Sequence, residues 1–218
     1  MSAGFEEIDR RPTPMGEISL RRRLEPTLLI DVYEVKLGDE FLMSNLFTVA
    51  EVALADLGLA RVAGTDLDIV VGGLGLGYTA RAALEDPRVR SMYVVEALDE
   101  VIGWHRDHLL PLADPLTSDP RCHLVQGDFF SMVAGGSGFG TDLPALCHAI
   151  LVDIEQRNDI FRVELILHSD IKEGVQRICA AFPRNLDHRL PFQRFERGIV
   201  HISHFHQVPV AGKDARVG

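Results

Sequence analysis

Residues 69–80 read IVVGGLGLGYTA, an apolar strand that runs straight into glycines at Gly73, Gly75 and Gly77 and then into a helix. Glycine allows a tight turn and a close approach to bare backbone, while the first turn of the helix offers unpaired N–H donors. A strand-to-helix turn can also use glycine for its backbone angles alone, so the residues downstream decide between the two. Glu96 closes the next apolar strand, SMYVVEA at 91–97, and lies 96 − 77 = 19 residues beyond the last glycine. An acid at that place is positioned to accept hydrogen bonds from both hydroxyls of a ribose. Its flanks, Val95 and Ala97, are apolar, which argues against an ordinary solvated carboxylate.

Dinucleotide-binding domains share these two features, and a third separates the classes. Asp128, in LVQGDFF at 124–130, stands just past the third strand. An acid there can accept a hydrogen bond from an adenine amino group while Phe129 packs near the ring. Together the three features place a mononucleoside, rather than a dinucleotide, across the carboxyl ends of the strands.

Outward from this stretch the chain alternates strand and helix. LDIVVGG at 67–73 is followed by the helix YTARAALED at 78–86, and SMYVVEA by a helical segment DEVIGWHRDHLLPL at 99–112. CHLVQG at 122–127 is the third strand. HAILVDI at 148–154 is the fourth, after the glycine-rich loop AGGSGFGTDLP. Short continuous apolar runs separated by helices predict a mainly parallel open sheet covered on both faces, a Rossmann-like α/β fold. Before it, 17–23 and 28–42 alternate like antiparallel strands, broken at Glu25-Pro26 and Gly38-Asp39, and 46–59 has helical period. The expected division is a small β-rich region over 1–45 and the nucleoside-binding domain over 46–218. Residues 161–182 read as helix and 198–205 as a fifth strand.

A chain of 218 residues, 46% hydrophobic, is long enough to bury one main core. Its net charge of −10 argues against binding to nucleic acid, which rests on basic groups replacing counterions. A cationic small substrate, such as an amine, is compatible with that charge. No apolar run reaches the ~20 residues that span a bilayer, and a soluble cytoplasmic protein is expected. Cys122, Cys147 and Cys179 are odd in number and widely spaced, so they read as reduced thiols. His201, His204 and His206 invite a metal reading, but no acid or cysteine lies nearby and no metal site is assigned. For Trp104 and His105 on one helix, packing for one and solvent for the other is expected.

From about Leu67 to Glu155 the chain resembles class I S-adenosylmethionine-dependent transferases, specifically the spermidine synthase branch. VVGGLGLGYTARAALEDPRVRSMYVVEALDEVI, DPRCHLVQGDFF and AILVDIE follow that branch's order of glycine loop, ribose acid, adenine acid and fourth strand. VYEVKLGDEFLMSN is similar to the short strands that precede its core domain. The resemblance implies that Gly73, Leu74, Gly75 and Gly77 line the amino acid part of the donor. It implies that Glu96 and Ala97 lie at the ribose, and Asp128 with Phe129 at the adenine. Asp153 would face the reacting centre, where a carboxylate can orient or deprotonate an amine. The donor would be S-adenosylmethionine or its decarboxylated form, and the resemblance is compatible with a homodimer.

Three departures accompany the matches. Leu76 stands where those enzymes carry an acid in the loop, Gln156 replaces the second aspartate after strand four, and 182–218 does not read as the usual closing hairpin, which suggests a truncated or divergent end. The leading expectation is therefore methyl transfer to a small molecule, which needs no dedicated base. Aminopropyl transfer from decarboxylated S-adenosylmethionine is the alternative, and a non-catalytic nucleoside-binding or assembly module is the third reading.

Overall fold

The computed structural model describes residues 4–129, 146–156, 160–170 and 199–202, with side chains for 4–129 and 147–152. Four antiparallel strands come first: β1 (Phe5–Thr13), β2 (Gly16–Glu25), β3 (Ile30–Leu37) and β4 (Glu40–Ser44), hydrogen-bonded in that order. The breaks read at Glu25-Pro26 and Gly38-Asp39 fall between β2, β3 and β4. Charge hides β1 from a hydrophobicity reading, since FEEIDRRPT has almost no apolar alternation. Its acids face arginines across the ladder, Glu6 paired with Arg22 and Glu7 with Arg21. Pro12 lacks a ladder N–H and is tolerated because β1 is an edge strand.

Helix α1 (Val49–Leu59) leads into the second sheet. That sheet contains β5 (Leu67–Gly72), β6 (Val89–Glu96), β7 (Cys122–Gln126), β8 (Leu146–Gln156), β9 (Ile160–Asp170) and β10 (Ile199–Ile202) in the spatial order β10-β9-β8-β5-β6-β7. Strands β8, β5, β6 and β7 are parallel neighbours, the doubly wound core of a Rossmann-like α/β fold. Ile69, Val70 and Val71 are buried in succession, so both faces of β5 are covered. One face, with Ile69, Val71, Met92, Val94, Ala149 and Leu151, joins a continuous core that also takes in Ile18, Leu20 and Val35 of the first sheet.

Helices α2 (Tyr78–Glu85), α3 (Asp99–Arg106) and α4 (Ala113–Thr117) complete the described elements. The single helix expected over 99–112 is divided. It ends at Arg106, His108 takes a left-handed φ of 57°, and Pro111 has no N–H to continue the ladder. The helix expected over 161–182 is corrected more deeply. Residues 160–170 form β9, paired antiparallel with β8 from Gln156↔Ile160 to Leu146↔Asp170, and 171–182 lie outside the described residues. Three residues separate β8 from β9, far fewer than the dozen or so that a parallel crossover needs. β10 then pairs antiparallel with β9 and carries His201, while His204, His206 and Cys179 lie outside the described residues.

At the amino ends of the strands a repeated Asp-Pro-Arg stretch ties the helices to the sheet. Arg88 donates to the carbonyls of Leu59 and Val62, and Arg121 to those of Leu84 and Val89; Asp86 and Asp119 hold the two guanidinium groups. Leu59 and Leu84 sit in the last turns of α1 and α2, where carbonyls lack helical partners. No helix among the described residues is long and apolar enough to cross a membrane.

Candidate functional site

The carboxyl ends of β5, β6 and β7 are tied together by backbone. Gly73 N–H donates to the Val95 carbonyl at 2.8 Å, and Gly127 N–H to the Glu96 carbonyl at 2.8 Å. The β5–α2 turn and the residue before Asp128 are thereby fixed to either side of one strand end. Gly73 has φ 96°, and a Cβ placed on it would meet nothing within 4 Å, so the turn is open to a ligand there. Gly77, the N-cap of α2, has φ 92° for the opposite reason: a Cβ would lie 2.5 Å from Leu116 Cδ1 and 3.1 Å from His105 Cε1.

Glu96 turns toward the glycine turn. Its Oε2 accepts from Leu74 N–H at 2.9 Å and Gly75 N–H at 3.5 Å, and its Oε1 accepts from Leu98 N–H at 3.0 Å. A carboxylate has about four acceptor positions, so Oε1 retains capacity for a ribose hydroxyl. Ala97 is exposed beside it, its carbonyl accepting from Gln126 Nε2. Asp128 is exposed just beyond β7. Phe129 is 6% exposed, packed with Val152 around Gly72 on the sheet's other face. Asp153 lies on β8 one residue past the Gly72↔Val152 pair, hence at the level of Gly73, and its side chain lies outside the described residues.

A cavity of about 160 Å³ sits over the turn, lined by Gly73 to Gly77 and Glu96 together with Met43, Ser44, Glu51 and Tyr78. Ala97 and Asp128 are not among its walls. The volume falls below the roughly 300–1,000 Å³ of sites that enclose a whole drug-sized ligand, so it takes only part of a nucleoside. Sequence reading missed Glu51 and the end of β4. Glu51 had one available signal, a lone acid in the apolar run LFTVAEVALADL; Met43 and Ser44 had none, because only packing of the first sheet on the second brings them over the turn. Burial pushes the Glu51 carboxyl above its ordinary range. Burial also pushes the Tyr78 phenol up, against the hydrogen bond with Asn45 and with the help of the Glu51 charge.

His105 corrects the expectation of a solvent-facing side chain on α3: both it and Trp104 are fully buried. Its Nε2–H donates to the Gly75 carbonyl at 2.9 Å, which leaves Nδ1 buried without a partner. Burial lowers its pKa, and the neutral ring braces the turn from beneath. Cys147 is buried and Cys122 half-buried, and neither forms a disulfide among the described residues; burial pushes the Cys122 thiol up to about 12, far from nucleophilic use. Among the described residues no group of His, Cys, Asp and Glu could hold a metal ion.

No family model matches the sequence, and no curated protein does. Solved structures do match by fold. Spermidine synthase from Thermotoga maritima superposes with a TM-score of 0.53 at 17% identity, over 67% of this chain and 47% of that one. A spermidine synthase in complex with the transition state analogue AdoDATO gives a TM-score of 0.54 at 17% identity, over 69% of this chain and 47% of that one. The chain thus has the Rossmann-like fold of these transferases and spans just under half their length.

Proposed function

We propose that this chain binds decarboxylated S-adenosylmethionine across the carboxyl ends of β5, β6 and β7 and transfers its aminopropyl group to a small amine. The observation that carries this reading is the pairing of an open turn at Gly73 with the Glu96 carboxylate on the rim of one cavity. Glu96 holds the ribose through its remaining acceptor capacity, and Asp128 meets the adenine beyond β7. The fold shared with spermidine synthases supports the aminopropyl donor over the intact one. The donor supplies a carbon activated by its sulfonium. The amine's lone pair forms the new C–N bond as the C–S bond breaks, its electron pair stays on sulfur as a thioether, and the amine loses a proton. To Asp153, whose backbone follows the Gly72↔Val152 pair on β8, this reading assigns the task of orienting that amine or accepting the proton.

Leu76 favours a second reading. It is buried in the core, and it stands where the resemblance calls for an acid, so methyl transfer from S-adenosylmethionine, which needs fewer carboxylates, remains the competing activity. One incubation separates them. Offered both donors and a set of diamines, the protein is expected to yield 5′-methylthioadenosine and an aminopropylated amine by mass spectrometry, and Glu96→Ala should abolish donor binding in calorimetry. S-adenosylhomocysteine with a methylated acceptor would replace this reading by methyl transfer, and wild-type protein that binds neither donor would remove both.

A further inference from the structure

Gly75 is held by residues from three other elements. Its N–H donates to Glu96 Oε2 of β6 at 3.5 Å, its carbonyl accepts from His105 Nε2–H of α3 at 2.9 Å, and the Met43 sulfur of β4 lies 2.7 Å from where a Cβ would stand. Gly75 lines the cavity, and the carboxylate on its N–H is the one assigned to the ribose. His105 has no part in the proposed transfer.

One state of the ring fits this position. A carbonyl only accepts, so Nε2 carries the proton of the neutral ring and Nδ1 carries a lone pair. Nδ1 is buried without a partner among the described residues, and the ring packs under the turn, its Cε1 3.1 Å from where a Cβ on Gly77 would stand. A second proton would put a charge and an N–H without an acceptor into that space. Burial opposes it and outweighs Glu96, whose charge favours the protonated ring. The other charges on the surrounding elements are engaged elsewhere or lie outside: Asp9 of β1 is taken by Trp104 and Arg11, Asp114 of α4 by His108, and Asp99 by Arg106 at the surface of α3, where Glu100 is half-buried in the first turn. Leu112 and Leu116 supply the apolar contacts beneath Gly77.

We propose that His105 is a positioning residue of the donor site: its neutral ring fixes Gly75, and through Gly75 the Glu96 carboxylate, so that protonation of the ring and donor binding exclude each other. This rests on the proposed nucleoside site and adds its regulation. A ring that takes a second proton must leave the turn or admit water to Nδ1, and either releases the Gly75 carbonyl. The folded pKa lies below 6.5, so the competent state is complete above it and is lost as pH falls through it. By linkage, bound donor must in turn lower the proton affinity of the ring.

Calorimetry with decarboxylated S-adenosylmethionine at about pH 7.5, where the ring is neutral, and proton NMR of the His105 ring test it. His105→Leu, which fills the space but offers Gly75 no N–H, should weaken the donor by about tenfold or more, and His105→Gln, whose amide reaches the same carbonyl, should recover most of that loss. In the wild type the ring should titrate at lower pH with donor bound than without it. Affinity should fall as pH drops through the midpoint of the free protein, and His105→Gln should lose that fall. A midpoint that the donor does not move overturns the inference, as does a ring that takes no proton in the free protein down to about pH 5. Folded His105→Leu protein with wild-type affinity overturns it too, and so does His105→Gln that binds no better than His105→Leu. If His105→Leu does not fold, the ring midpoints and the pH profile of His105→Gln decide. Wild type that binds no donor at all removes the nucleoside site itself, and the role of His105 with it.

Discussion

The two sheets place their charges and their apolar residues differently. In β1 to β4 the fully enclosed residues are few, among them Ile18, Leu20, Val32 and Val35, and arginines answer glutamates along the exposed strands, Arg10 with Glu7 and Glu17, Arg23 with Glu25 and Glu34. In β5 and β6 consecutive residues are buried, Ile69 to Val71 and Val94 with Val95. Exposed ion pairs add little stability, so the smaller sheet depends on its few apolar residues and on its seam with the larger one. That seam is specific. Trp104 Nε1–H donates to Asp9 Oδ2 at 2.6 Å, and Met43 lies against Gly75, its sulfur 2.7 Å from where a Cβ would stand. The smaller sheet therefore works as a cover over the β5–α2 turn and α3, joined to the larger sheet through a shared core.

The sharpest way to break this contrast uses one turn glycine beside each sheet. Gly77→Ala adds a methyl group at φ 92° into Leu116 and should destabilise the protein by roughly 2–4 kcal/mol in chemical denaturation. Gly38→Ala, at φ 58° in the turn between β3 and β4, meets nothing within 4 Å and should cost only the left-handed backbone penalty of about 1–2 kcal/mol. Equal losses would mean that the site's turn is no more constrained than the cover's.

The seam comes next. Asp9→Ala leaves the buried indole N–H of Trp104 without its acceptor and should lower stability by about 1–3 kcal/mol. Trp104 fluorescence would shift with it, whereas an unchanged spectrum and denaturation midpoint would detach the cover from the core.

The smallest effect concerns His105. Its pKa in the folded state lies below the 6.5 of the free ring, so the unfolded chain binds the proton first as pH falls. Stability should fall on acidification through 6.5 toward the folded pKa, by under ~1 kcal/mol between pH 7 and pH 6, and level off below that window. His105→Gln, which keeps an N–H for the Gly75 carbonyl, should flatten the profile. The same slope in wild type and variant would show that other groups set it.

Much of the fold was legible because its signals are local. The glycine turn, the apolar runs of β5 to β8 and the breaks at Glu25-Pro26 and Gly38-Asp39 each express a backbone preference within a few residues. β1 was not legible, because its partners are charges on another strand, and β9 was misread because IFRVELILHSD fits two periods until its ladder with β8 selects one. At the site, Glu96 could be placed by counting from the glycines. His105 could not, since its burial depends on α3 lying beneath the turn.

By itself, then, the sequence determined a strand, an open glycine turn and an acid one strand away, because turn geometry and strand period are written in neighbouring residues. Only the tertiary structure decided that Glu51, Tyr78, Met43 and Ser44 meet that turn, and that the Leu74 and Gly75 N–H groups are already held by Glu96. Those facts arise from packing between segments distant in the chain, which no local pattern encodes.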